Sequence, residues 1–259
     1  MSNPFEPVLK IEEHGPVRLL TIDRPDHLNA VSPEVHEALA RVWKHLSRDP
    51  EARAVVITGA GRAFSAGGDL KLLKDLQSDP VGRRAQLEEA AEVLREQVAF
   101  PLPIVAAVNG PAVGLGCNIA LCCDLVVIGE DAYLSDPHAS IGLTAGDGGA
   151  PTWPVLMGMM RAKEYLLLGS RIPAAEAKEI GIANRVVAND DVLAEAMKLA
   201  ERLAGLPPQA VQSTKRALNL HVERAMSGIL EYALAAEYHS FDMPEHQAVV
   251  EGFLAKGSG

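Results

Sequence analysis

Two segments share one physical design, and it limits the possible folds more than any other feature of the chain. AVVITGAGRAFSAGGDL (54–70) and PIVAAVNGPAVGLGCNIA (103–120) each begin as an apolar run and end in small residues. A run that is apolar at every position has no solvent face. It fits a strand covered by helices on both sides, as in a mostly parallel sheet. The small residues that follow let the backbone approach a ligand closely. Free N–H groups in such loops, and at the helix start that follows the second, attract an oxygen that is becoming negative. Two such loops side by side could form an oxyanion hole.

The rest of the chain reads as alternating strands and helices. Val17–Ile22 is a β-like run ended by Asp23-Arg24-Pro25. Residues 33–48 place Val35, Leu39, Val42, Trp43 and Leu46 on one helical stripe, with Ser32 and Pro33 as N-cap and first helical residue. Further on, the pattern predicts a strand at Ala54–Thr58, a polar helix over 83–98 and a strand at Ile104–Val108. A Gly-rich loop at 110–116 leads into an apolar helix ending near Cys123, then strands at Leu125–Ile128 and Tyr133–Ser135. A loop over 136–152, a helix near 153–168 and a strand at Ala183–Val187 precede a tail that is helical from about 190. The fold class is therefore α/β, with a main domain over 1–190 and a C-terminal helical module over 191–259.

Charge and cysteine content exclude several functions. The net charge of −10 argues against nucleic acid or an anionic membrane as the main partner, while a small anion held by a local cluster of positive groups is still allowed. The three cysteines, Cys117, Cys122 and Cys123, form no disulfide framework and lack CxxC spacing. They indicate a reducing cytoplasm and no metal site. The N-terminus carries no secretory signal pattern. The apolar stretch 104–128 is broken by Asn109-Gly110-Pro111, Asn118 and Asp124, so it does not read as a membrane span. Gly59-Ala60-Gly61 and Gly114-Leu115-Gly116 have Phe64 and Ile119 where a dinucleotide fingerprint needs its third glycine. Neither GK[ST] nor GxSxG occurs.

GRAFSAGGDLK (61–71) and AAVNGPAVGLGCNIALCCDL (106–125) resemble the two signature segments of the crotonase superfamily, the enoyl-CoA hydratases and isomerases. The likeness extends to TIDRPDHLNAVS (21–32), GLTAGDGGAPTWPVLMGMMRAKEYLLLG (142–169), AAEAKEIGIANRVV (174–187), PPQAVQSTKRALN (207–219) and, more weakly, EGFLAK (251–256). It implies a spiral of ββα units with C-terminal helices that build trimers, often stacked as hexamers. It also implies an acyl-CoA substrate of the kind met in fatty-acid metabolism, and no further cofactor. By motif position the oxyanion donors are the amides of Gly68 and Leu115. The Ala66 carbonyl and the segment Gly68, Asp69, Leu70 and Lys71 would lie along the CoA. Lys71 and, from a neighbouring subunit, Lys256 would contact its phosphates. Asp69 reads as structural, and Asp124 as a brace for a neighbouring loop. The lysine that many members carry after the first Arg-Pro is replaced by Asp26.

The resemblance breaks at the chemistry. The two glutamates that flank the water in a typical hydratase are replaced, by motif position, with Asn118 and His138. Asn118 can orient a water or a carbonyl but cannot take a proton, whereas His138 can act as a base near neutral pH. Asp147, in Gly146-Asp147-Gly148-Gly149, falls about one residue from where some members carry a working aspartate. The leading expectation is an enoyl-CoA hydratase-type lyase that moves protons through Asp147 or His138. The alternatives are an isomerase, a thioester hydrolase or C–C lyase using the same groups, and a non-catalytic acyl-CoA-binding protein. Crotonyl-CoA should be a poor substrate, because the two-glutamate route is absent.

Overall fold

The computed structural model describes residues 3–256, with the side chain of Lys256 outside the described part. Its strands, in chain order, are β1 (Leu9–His14), β2 (Val17–Ile22), β3 (Ala54–Gly59), β4 (Ile104–Val108), β5 (Ala112–Val113), β6 (Leu125–Gly129), β7 (Tyr133–Ser135), β8 (Arg171–Pro173) and β9 (Arg185–Val187). Helices α1 (Pro33–Leu46), α2 (Leu70–Ser78), α3 (Pro80–Ala99), α4 (Leu115–Leu121), α5 (Gly149–Met157), α6 (Met159–Leu168) and α7 (Ala174–Glu179) lie between them. The chain ends with α8 (Val192–Ala204), α9 (Pro208–Met226), α10 (Ile229–Ser240) and α11 (Pro244–Lys256).

The six-stranded sheet has the order β1-β2-β3-β4-β6-β9, and a three-stranded sheet has the order β5-β7-β8. Within the large sheet only β1 and β2 run antiparallel. Successive turns send one strand to each sheet, β4 then β5 and β6 then β7, each followed by a helix: this is the crotonase-type ββα spiral. After β3 a single bridge between Ser65 and Ala112 stands where a second strand would be.

Burial on both faces explains the all-apolar strands. Val55 and Ile57 of β3 pack with Leu39, Val42, Trp43 and Leu46 of α1. The alternate residues Ala54 and Val56 pack with Val192, Ala196, Leu199 and Ala200 of α8. The two-residue period of a strand requires that division. Asp124 braces the loop before β4, as expected: its Oδ2 accepts from the Ile104 amide at 2.7 Å and from the buried Lys215 Nζ of α9 at 2.7 Å.

Several elements depart from the sequence expectation, among them the short strands β5 and β8, which it did not foresee. LKIEEH is too polar to read as a strand, yet it forms β1 at the sheet edge with only Leu9 fully buried. The polar helix expected over 83–98 begins earlier, at Pro80, and is preceded by the unforeseen α2. Asp69 caps α2 through the amides of Lys71 and Leu72, in keeping with its structural reading, and Asp79 caps α3 through Gly82. The helix near 153–168 is two helices, broken at Gly158 with φ +84°. The strand at 183–187 shortens to Arg185–Val187. Among the described residues no helix is long and apolar enough to cross a membrane, and the three cysteines are unpaired.

Candidate active site

The two glycine-bearing loops lie side by side because their backbones hydrogen-bond. Val113 N donates to Ser65 O at 2.9 Å and Ser65 N to Pro111 O at 3.1 Å, while the first loop is also tied to residues 28–31, where Ala66 N donates to Leu28 O at 2.9 Å and Val31 N to Gly67 O at 2.8 Å. Gly67 is required here: its φ is +84°, and a Cβ would sit 2.7 Å from the Val113 carbonyl oxygen. The amides of Gly68 and Leu115 are left with no protein acceptor among the described residues. Gly68 follows the tight turn, and Leu115 opens α4, where the first N–H groups have no intrahelical partner. Both residues line one cavity of about 580 Å³, together with Ala66, Asp69 and Leu70. Lys71 is exposed on the first turn of α2, outside the cavity wall. The Lys256 side chain lies outside the described residues.

His138, Asp147 and Glu237 line the same cavity. His138 lies on a 3-10 turn after β7, and its Nδ1 is hydrogen-bonded to the Asp136 carboxylate. Its Nε2 is 3.5 Å from Asp147 Oδ2 and 3.9 Å from Glu237 Oε1. All four residues are buried, between 1% and 8% exposed. Glu237 Oε2 has no hydrogen-bond partner.

Asn118 departs from its expected role as a group facing water or substrate. It is fully buried behind the cavity wall, and both ends of its amide are taken. Nδ2 donates to Asp147 Oδ1 at 3.0 Å, and Oδ1 accepts from Trp153 Nε1 of α5 at 2.9 Å. Gly148, at φ +138°, permits this approach, since a Cβ there would lie 2.8 Å from Asn118 Cβ. Asn118 thus joins the Asp147 carboxylate to Trp153 of α5.

Burial and mutual charge set the protonation states. Burial raises Asp147 to about 6, the negative Asp136 adding to the effect and His138 opposing it. Burial raises Glu237 further, to about 8, with Asp147 and Asp136 adding to the shift. For His138 burial disfavours the charge, but Asp136, Asp147 and Glu237 together outweigh it and hold the imidazole well above its ordinary value. Burial acts against an ionised Asp136 as well, and the imidazolium overcomes it, leaving that carboxyl below its ordinary value. Near neutral pH the cluster therefore holds an ionised pair, a mainly ionised Asp147 and a protonated Glu237. The cavity thus has a proton acceptor and a proton donor on the Nε2 side of one imidazole. Asp136, His138 and Asp147 also bring ligand atoms within 4.8 Å of one another. The hydrogen bond between Asp136 and His138 Nδ1 occupies one of the lone pairs a metal would need.

Glu237 was not foreseen. It belongs to α10, and its side chain continues the buried stripe of Leu230 and Ala233. An acidic residue on such a stripe is the one signal that could have singled it out.

The profile of the enoyl-CoA hydratase/isomerase family matches residues 12–258. The chain belongs to this family, within the crotonase superfamily. A crystal structure of an enoyl-CoA hydratase/isomerase from Mycobacterium paratuberculosis is 47% identical, with a TM-score of 0.93, and covers 96% of this chain and 100% of its own. The short-chain-enoyl-CoA hydratase of Clostridium acetobutylicum is 34% identical over 89% of this chain and 87% of its own length. A monofunctional enoyl CoA isomerase from M.smegmatis is 30% identical, with a TM-score of 0.72, over 87% of this chain and 99% of its own. Both reaction names thus occur among relatives of similar identity, and family membership makes this chain an acyl-CoA-transforming enzyme without selecting its reaction.

Proposed function

We propose that this enzyme activates water against an acyl-CoA, as an enoyl-CoA hydratase-type lyase with a relocated acid–base pair. The observation that carries the reading is the pair Asp147 and Glu237 beside His138 Nε2, one carboxyl mainly ionised and one protonated near neutral pH. The Gly68 and Leu115 amides hold the thioester oxygen. Asp147 takes a proton from water as its oxygen bonds to the β-carbon, and the π electrons move onto the thioester oxygen. Glu237 then delivers its proton to the α-carbon as the enolate collapses. Backbone donors suit this task because they cannot be titrated away. The thioester supplies its own electron sink, so no further cofactor enters. The Ala66 carbonyl, Asp69, Leu70, Lys71 and Lys256 are proposed for the CoA, with the two lysines on its phosphates.

The Asp136–His138 couple favours a second reading. The imidazolium held by Asp136 favours an ionised Asp147 beside it, and that carboxylate can take the proton of a water that attacks a carbonyl. In that case water attacks the 3-oxo carbon of a 3-oxoacyl thioester, the bond between C2 and C3 breaks, and the electron pair leaves as the enolate held by the two amides. Glu237 protonates that enolate at C2.

Exposed apolar side chains on the helices, among them Met160, Leu167 and Leu168 of α6, Leu218 of α9 and Tyr232 of α10, support assembly into a trimer or hexamer. Three unpaired thiols fit a cytoplasmic setting.

A panel of 2-enoyl-, 3-enoyl- and 3-oxoacyl-CoA esters, with products followed by mass spectrometry in ¹⁸O-water, tests these readings. A 3-hydroxyacyl product carrying ¹⁸O supports hydration, and a shorter acid carrying ¹⁸O together with a shorter thioester supports cleavage. A shifted double bond without ¹⁸O identifies isomerisation by Asp147 alone. If Asp147→Ala and His138→Ala leave every turnover unchanged, the catalytic assignment is wrong. If no ester turns over at all, the chain is a non-catalytic binder.

A further inference from the structure

We infer that the cavity wall made by α1 and α3 recognises a neutral oxygen carried by the acyl group, so that the substrate is an oxygenated acyl-CoA; this rests on the acyl-CoA reading above. Much of the cavity wall is aliphatic, with Leu72, Leu73, Leu76 and Leu87 among its lining residues. His36 of α1 and Gln86 of α3 interrupt that wall. His36 is 7% exposed, and its Nδ1 is buried without a partner. The nearest carboxylate oxygen, Glu89 Oε2, is 3.8 Å from Nδ1, too far for a hydrogen bond. No hydrogen bond among the described residues uses Nε2 either. Gln86 Nε2 is also buried and unpaired. Gln86 and Glu89 stand three residues apart on α3 and so share a helix face, and the Glu89 contact places His36 against that face.

Unpaired buried polar atoms are uncommon, and each one calls for a cause. Asn29 Nδ2 donates to the carbonyls of Ala60 and Ala63, and Asn118 is paired at both ends, while Gln77 Nε2 and Gln97 Oε1 are unpaired away from the cavity lining. Of the unpaired buried atoms among the described residues, those of cavity-lining residues belong to His36, Gln86 and Glu237. Glu237 is assigned to proton transfer, which leaves His36 and Gln86 without a task. A side-chain amide N–H and a neutral imidazole, kept neutral by burial, together complement a carbonyl or hydroxyl oxygen. Glu89 beside them disfavours a carboxylate at the same place.

The test uses saturated thioesters that cannot be hydrated: hexanoyl-CoA, 5-oxohexanoyl-CoA, 6-hydroxyhexanoyl-CoA and adipyl-CoA. Dissociation constants are measured by calorimetry for the full-length protein and its H36F and Q86L variants. The oxo or the hydroxy ester should bind at least about tenfold tighter than hexanoyl-CoA, because a site built to hydrogen-bond an oxygen discriminates against its absence. Adipyl-CoA should gain nothing. Each variant should shrink the preference severalfold by weakening only the oxygenated ester. Both replacements are apolar and of similar size, and retained hexanoyl-CoA affinity shows that they fold. Equal binding of hexanoyl and oxygenated esters by the wild type, or a preference unchanged in both variants, overturns this inference alone. Failure of every ester to bind overturns the acyl-CoA reading beneath it.

Discussion

Glu237→Gln changes one proton and almost no volume, and it separates the proposed acid from a merely buried carboxyl. Burial raises Glu237 from its ordinary 4.5 to about 8. At about 1.4 kcal/mol per unit that shift corresponds to roughly 4–5 kcal/mol of stability withheld when the group must ionise. The folded value is the higher one, so the unfolded chain releases this proton first. The cost is absent below pH about 4.5, grows as pH rises, and is complete above about 8. A glutamine at this position carries no such cost. Differential scanning fluorimetry should therefore give similar melting temperatures for the two proteins near pH 4.5 and an increasingly more stable variant up to pH 8.5. Activity should move in the opposite direction. A glutamine cannot donate the proton, so kcat/KM should drop by about 10²–10⁴, and the wild type's alkaline decline near pH 8 should vanish. A variant within about threefold of wild-type kcat/KM that keeps the same alkaline limb would refute Glu237 as the acid. A stability gain without an activity loss would leave it only a buried carboxyl.

Four further outcomes are expected. Leu115→Pro removes one proposed oxyanion donor at the first position of α4, where proline fits a helix; kcat should fall by about 10²–10³, and Leu115→Ala, which keeps the amide, controls for the lost side chain. Asn118→Ala removes a hydrogen bond that lowers Asp147, so the acid limb of the pH–rate profile should move to higher pH. The same variant strands Trp153 Nε1 at a cost of about 1–3 kcal/mol, visible as a lower Tm. Crotonyl-CoA should turn over slowly in a hydration assay that follows loss of the enoyl absorbance, and a rate matching an efficient two-glutamate hydratase would contradict the relocated acid–base pair.

The strands and the two loops were legible because their information is local. AVVIT and IVAAV need burial on both faces whatever surrounds them, and the glycines of each loop mark where backbone crowds backbone. Gly68, Leu115, His138 and Asp147 were singled out by motif position, and the structure brings all four to one cavity. Asn118 was in the right neighbourhood with the wrong orientation. Nothing in NIALCCD says that its amide is taken by Asp147 and Trp153, which follow it by 29 and 35 residues. The polar β1 and the break at Gly158 were missed because an edge position tolerates polar residues and one glycine does not announce a helix break.

Sequence by itself determined the α/β class, the family and the pair of unpaired backbone amides, all of which follow from short-range pattern and steric need. Tertiary structure alone decided which acid faces them. Glu237 sits on the tenth helix, far along the chain, and its carboxyl is raised to about 8 only when α10 packs against the loop carrying Asp147. Burial beside other carboxylates raises its affinity for a proton, and that environment is assembled from three separate stretches of chain, 136–138, 146–147 and α10, that no local pattern records.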